Sequence, residues 1–147
     1  MKKRIITSVV ITVIFALIIV TSSFIALVNI NTIDDAKETL SIYNVCFSKE
    51  NYSKEDLSIY KFKGNSVRFT VVNNDGDVLF DNETNNLENH KDRQEIIDAF
   101  KNGTGTSVRF SKTLSMNMVY YATKINDNIV VRSSVPISNI KVFTSGT

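Results

Sequence analysis

The 147-residue sequence contains one cysteine, one histidine, one proline, five glycines and no tryptophan. A lone Cys46 cannot close an internal disulfide, so the fold has to rest on packing. Cys46 and His90 fall on different predicted elements and are too few for a His/Cys zinc site or a Cys/His dyad. No glycine-rich phosphate loop exists, because Gly103-Thr104-Gly105 lacks the spacing, the lysine and the preceding strand. An excess of one charge is missing too. With 17 basic against 15 acidic residues the net is +2, which gives no electrostatic reason for a nucleic-acid partner. The length suits one ordinary domain and excludes a multidomain enzyme. Adjacent carboxylates such as Asp34 and Asp35 point in different directions from a helix and read as solvated. The expectation is a chain with no catalytic residue, no metal and no cofactor.

Charge is absent altogether from residues 5–28, which also lack Gly and Pro. A helix of that length covers roughly 36 Å, more than the roughly 30 Å hydrocarbon core of a bilayer. Its only polar residues are Thr7, Ser8, Thr12, Thr21, Ser22 and Ser23, whose hydroxyls can bond back to helical carbonyls in lipid. Lys2, Lys3 and Arg4 precede it, and the positive-inside tendency then keeps residues 1–4 in the cytoplasm and places residues 29–147 outside. The run is long for a cleaved signal peptide, and no cysteine follows it directly as a lipoprotein would need. A small soluble domain rarely surrounds such a helix.

The 119 residues after Val28 hold 14 basic and 15 acidic side chains, a nearly neutral set. Their first segment, residues 29–62, reads as a helical region. Ile33, Ala36, Leu40, Tyr43 and Phe47 recur at steps of three and four, forming a seam that either packs on its own domain or pairs with the same helix of a second chain. Cys46 is expected as a small buried hydrophobe, with intermolecular pairing or a reactive thiol as the alternatives.

From residue 66 the period becomes alternating. Strands are expected at 67–71 and 78–80 around an Asp75-Gly76 turn, where glycine supplies a positive φ; turn chemistry is preferred there to metal binding. A short helix follows with Ile96, Ile97 and Phe100 on one face, closed by Asn102-Gly103. Three further strands run through 107–114, 118–125 and 129–135, and an outgoing helix is expected to begin within 138–147. This order describes a small α+β domain with an antiparallel sheet.

Several blocks carry a resemblance: Arg68-Phe69-Thr70-Val71-Val72, Asp75-Gly76-Asp77-Val78-Leu79-Phe80-Asp81, Glu88-Asn89-His90-Lys91-Asp92-Arg93-Gln94-Glu95-Ile96, Gly103-Thr104-Gly105, Arg109-Phe110-Ser111-Lys112-Thr113-Leu114, Met118-Val119-Tyr120-Tyr121-Ala122, and Val131-Arg132 with Val135-Pro136. In this order over residues 66–137 they resemble the extracytoplasmic sensor domain of phosphate-regulation (PhoR-type) sensor histidine kinases of Gram-positive bacteria. The resemblance implies a PAS-like fold of the Cache type over residues 63–137. Such a fold has a long N-terminal helix and a five-stranded antiparallel sheet. In the family this domain lies between two spans, in a homodimeric receptor, ahead of cytoplasmic kinase modules that this chain does not contain. The chain stops where a second span would start, as a fragment would. Gln94 departs from the family, where a proline usually follows the arginine. His90 sits in an Asn-His-Lys-Asp loop rather than in a phosphoacceptor motif, so that role is not carried over.

Arg68, Arg109 and Arg132 lie out of phase with the apolar strand residues. They are candidates to line one sheet face and attract an anion, or else to pair with Glu88, Glu95 or Asp81. Tyr120, Tyr121 and His90 are candidate contacts for a small-molecule or protein ligand, or else serve packing and hydrogen bonding. The expected function is signal reception by a two-component receptor. The alternative is a standalone membrane-anchored extracellular binding protein.

Overall fold

The computed structural model describes residues 2–48, 56–85, 88–111 and 114–137. The chain divides into two compact units, residues 1–32 and 33–147. Helix α1 (Lys2–Phe47) contributes to both.

Within the first unit every described residue is helical. Its apolar side chains stand exposed, Phe15 at 65% and Phe24 at 66% among them. So large an exposed apolar surface is of the kind that marks a contact with a membrane or a partner. The hydroxyls bond backward to helical carbonyls: Thr7 Oγ1 donates to the Lys3 carbonyl and Thr12 Oγ1 to Ser8, both at 2.9 Å. Thr21 Oγ1 donates to Leu17 at 2.8 Å, and Ser22 Oγ donates to Ile18. The helix is long and apolar enough to cross a membrane.

In the second unit α1 continues to Phe47, and the Ser48 N–H still donates to the Asn44 carbonyl at 3.1 Å. The helix thus ends earlier than expected, and Asp56–Ile59 forms a separate 3-10 turn that tucks Leu57 into the core. A two-stranded hairpin follows, β1 (Lys61–Phe62) with β2 (Asn65–Ser66). The main sheet comprises β3 (Arg68–Asn73), β4 (Val78–Asp81), β5 (Thr104–Ser111), β6 (Met116–Asn126) and β7 (Ile129–Pro136), with α2 (Gln94–Asn102) between β4 and β5. It is antiparallel throughout, in the order β4-β3-β7-β6-β5. The last strand therefore lies at the centre. The expected α+β class and five strands are present. The outgoing helix expected within 138–147 lies outside the described residues.

Alternation sorts the side chains onto two faces. Phe69, Val71, Val119, Val131 and Val135 point toward α1 and meet Ala36, Leu40 and Phe47, all almost fully buried. Ile33 and Tyr43 pack on the same cluster. The five-residue seam thus packs on the chain's own sheet. Phe47 stacks on Phe69 with centroids 4.6 Å apart, and Tyr60 meets Phe69 edge-on at 5.3 Å. The opposite face carries a smaller cluster in which Val72, Ala122 and Val130 pack against Ile96 and Ala99 of α2.

Two expectations need correction. Cys46 is exposed rather than buried, because the burial of Leu40 and Phe47 turns the neighbouring position outward. On α2 the buried face is Glu95, Ile96 and Ala99, while Ile97 is 45% exposed. Gly105 accounts for that orientation: a Cβ there would strike the Glu95 carbonyl and the Ala99 nitrogen, so its absence lets α2 lie directly on β5.

Truncating Phe47 to Ala should destabilise the protein by about 3–5 kcal/mol, whereas Glu38→Ala, on the exposed side of the same helix, should stay within about 0.5 kcal/mol. Chemical denaturation of the detergent-solubilised chain checks both values.

Candidate functional site

The sheet face under α2 collects the charges that the sequence spread over three strands. Across the sheet, Thr70 stands opposite both Asp81 and Arg132, while Arg68 is opposite Ser134, Ser134 opposite Tyr120, and Tyr120 opposite Ser107. All lie at positions of one parity, so one face receives them. Arg68, Arg109 and Arg132 are brought together as the phase argument expects.

Each arginine already has a carboxylate. Arg68 holds Asp81 through its Nε, at 3.1 and 3.0 Å from the two carboxylate oxygens, and through its terminal nitrogen at 3.0 Å. Asp81 also accepts from the Thr70 hydroxyl at 2.9 Å and from the backbone N–H groups of Glu83 and Thr84 at 2.9 and 3.0 Å. Glu95, completely buried on α2, accepts from Arg109 at 3.1 Å and from Arg132 at 3.3 Å. Arg132 donates in addition to Thr70 Oγ1 at 3.0 Å. Glu88 meets a different arginine, Arg93, at 3.9 Å.

The Tyr120 ring completes the packing, with the Arg109 guanidinium 4.1 Å and that of Arg132 5.2 Å from its centroid. Such placement adds a cation–π attraction to the ion pairs. Tyr121 lies apart from this cluster: as the next residue along the strand it projects to the α1 face, opposite Ser133, whose hydroxyl bonds the Leu40 carbonyl. His90 borders the cluster from the loop before α2, where its N–H donates to the Gly76 carbonyl at 2.7 Å.

Electrostatics keep the cluster charged and the imidazole neutral. Burial by itself would raise the carboxyl pKa of Asp81 and Glu95, but hydrogen bonds and charge from Arg68, and charge from Arg132 and Arg109, hold both below the usual carboxylate range. His90 is pushed down to about 4 by burial and by the nearby positive charges of Arg132 and Arg93. Of the buried side-chain polar atoms without a partner among the described residues, five lie on this side of the sheet: His90 Nδ1, Glu95 Oε2, Ser107 Oγ, Arg132 Nε and Ser134 Oγ. Buried polar atoms are nearly always bonded, so this face offers polar valences to water or to a small polar group.

At the Asp75-Gly76 turn the polar atoms serve the backbone. Asn73 Oδ1 accepts from the N–H groups of Asp75 and Asp77 at 3.0 and 2.8 Å, and Asn89 clamps the hairpin by donating to Asp75 O and Asp77 Oδ1. No trio of His, Cys, Asp or Glu among the described residues is placed to hold a metal ion.

Sequence reasoning missed two residues. Thr70, which bridges both ion-pair groups, looked like an ordinary strand residue. Asn44, on the α1 face, is fully buried and donates through Nδ2 to the Tyr121 and Val131 carbonyls at 3.1 and 3.3 Å and to Thr123 Oγ1 at 3.1 Å. Its signal was available: Asn44 interrupts the apolar stripe between Leu40 and Phe47. The chain matches no protein-family model, no curated protein and no solved structure.

Glu95→Ala should cost about 3–5 kcal/mol, because it leaves Arg132 buried and uncompensated; thermal or chemical unfolding measures it. Between about pH 6.5 and 4 the unfolded chain binds a proton at His90 that the folded chain refuses. Stability should therefore fall as the pH is lowered through that window. His90→Gln should flatten this part of the pH–stability curve and leave the further acid loss, from Asp81 and Glu95, in place.

Proposed function

We propose that this chain is the signal-reception region of a membrane receptor, the extracytoplasmic part of a two-component sensor histidine kinase of the phosphate-regulation type, with a PAS-like, Cache-type domain over residues 63–137. Residues 1–4 are cytoplasmic, 5–28 span the membrane, and the remainder faces outward. The chain itself performs no catalysis and works as a homodimer in the intact receptor.

One observation carries this reading: a single helix, Lys2–Phe47, is apolar enough to cross a membrane in its first part and forms the core of the sheet domain in its last turns. A ligand or protein that prefers one arrangement of the sheet and its flanking helices biases that helix, and a preference of a few kcal/mol suffices to shift the population. The long N-terminal helix and five-stranded antiparallel sheet are of the kind that the sequence resemblance implies. Since Arg68, Arg109 and Arg132 are held by Asp81 and Glu95, an anionic input has to compete with an internal carboxylate rather than enter an open cationic groove.

Topology is tested with a single introduced thiol, Lys91→Cys in a Cys46→Ser background. A membrane-impermeant maleimide should label it in intact cells; labelling only after lysis would defeat the receptor reading. Sequencing the gene beyond Thr147 should find a second apolar run followed by a phosphoacceptor-histidine region. A stop codon there would favour the standalone extracellular binding protein.

A further inference from the structure

The three hairpin turns of the main sheet do not point the same way. Asn44 Nδ2 bonds the Val131 carbonyl and Ser133 Oγ bonds the Leu40 carbonyl, so α1 runs antiparallel to β7. The β3–β4 turn leaves Asn73, opposite Ile129, and the β6–β7 turn joins Asn126 to the same residue. Both therefore sit beside the last turn of α1, at the far end of the sheet, and they consist of Asn73-Asn74-Asp75-Gly76-Asp77 and Asn126-Asp127-Asn128. The β5–β6 turn lies at the other end, where α1 enters the domain. Asn117 stands opposite Phe110 and accepts from the Ile137 N–H at 2.9 Å, four residues along β7 from the Ser133 that meets Leu40. Here the composition is apolar. Phe110 is 56% exposed, and Leu114 and Met116 are half-buried. Ser111 Oγ closes the turn by accepting from the Leu114 N–H at 3.3 Å, with Ser115 at a φ of 52°. Residues 110–111 and 114–117 carry no charge. Phe110 is left bare because α1 crosses β6 and β7 and does not reach edge strand β5.

Distance then selects what this turn meets. Four strand residues at about 3.4 Å and eight helical residues at about 1.5 Å both cover roughly 12–14 Å, so Phe110 stands level with residue 32 of α1. The uncharged run ends at Val28, four residues back and about 6 Å along the helix. The headgroup layer flanking a hydrocarbon core is itself roughly 5–7 Å thick. We infer that the β5–β6 turn rests in the headgroup layer of the bilayer that holds residues 5–28, with Phe110, Leu114 and Met116 as its lipid-contacting side chains. The inference rests on the reading of residues 5–28 as a span. A partner free in solution gives no reason for two Asn/Asp turns at one end of the sheet and an apolar turn at the other, whereas a bilayer at the end where α1 enters does: polar turns stay in water, and apolar side chains lie at the headgroup–acyl boundary. The contact is local. Asp34 and Asp35, exposed on α1 near the same level, keep that part of the helix in water, so one turn is seated and not the whole end of the domain. Three partly exposed side chains do not hold a domain on a membrane unaided. The span keeps them there, and their contact fixes the rotation of the sheet domain about α1.

The chain has no tryptophan, so Phe110→Trp introduces a single reporter. The full chain carrying it is reconstituted in phosphatidylcholine vesicles and in vesicles of the same lipid brominated on the acyl chains close to the headgroup. Both leaflets carry bromine, so the direction of insertion does not matter. Emission should be shifted to the blue of a water-exposed indole and should fall about twofold in the brominated vesicles, as for a side chain at the headgroup–acyl boundary. Leu114→Trp, in the turn itself, should behave alike, and it decides the matter if Phe110→Trp misfolds. Leu79→Trp, at a 56% exposed position of β4 toward the far end of the sheet, should emit as in water and keep its intensity. Phe24→Trp, within the uncharged run, reports on the span and should be quenched. Far-UV circular dichroism equal to that of the wild type establishes the fold of each variant. If Phe24→Trp is quenched while the two turn reporters behave like Leu79→Trp, the turn faces water or another protein; the lipid contact is overturned and the span stands. Equal quenching of Leu79→Trp and the turn reporters overturns the contact as well, because the domain then lies on lipid without preference for this turn. An unquenched Phe24→Trp overturns the span and the contact together.

Discussion

The last turns of α1 are joined to the sheet by an apolar layer with one amide set into it. Leu40 and Phe47 provide the area, and Phe47 lies flat against Phe69. Between them Asn44 Nδ2 reaches two carbonyls and a hydroxyl on β6 and β7. Apolar contact alone is indifferent to small rotations of a helix, since its strength depends on area. Hydrogen bonds to carbonyls of two different strands are directional and fix both the rotation and the axial position of α1. From that placement follow the burial of the Ile33 to Phe47 stripe, the outward turn of Ile42, Val45 and Cys46, and the bare face of β5.

The other face of the sheet is built on a different principle. Three arginines, two carboxylates and a tyrosine ring are packed where apolar residues would normally lie, with Glu95 and Arg132 essentially out of water. Pairs of this kind gain little net stability, because desolvation offsets most of the Coulomb attraction, but removal of one member leaves an unbalanced buried charge. The cluster therefore makes α2 sensitive to anything that alters its charge balance. His90 is held neutral first by its burial and then by the positive charges of Arg132 and Arg93.

The two faces together give the domain its proposed role. One face bears the helix that continues from the apolar segment, and the other bears a tightly balanced polar layer with spare valences. The same strands carry α1 on one face and α2 on the other.

Much of this architecture was legible in the residue order. The uncharged run of residues 5–28, the change of period near residue 66, the Asp75-Gly76 turn and the Asn102-Gly103 stop are local signals, and local signals determine which segments become helix or strand. Phase alone also brought Arg68, Arg109 and Arg132 to one face. Tertiary structure decided what meets what. Whether the α1 stripe faced its own sheet or a second chain, which carboxylate each arginine took, and that Glu95 rather than Ile97 turned inward all depend on contacts between residues far apart in the chain. The placement of Asn44 under β6 and β7, with the exposure of Cys46 that follows from it, was decided in the same way. Periodicity records which side of an element is apolar, but strand order and the close approach allowed by Gly105 determine which surface that side covers.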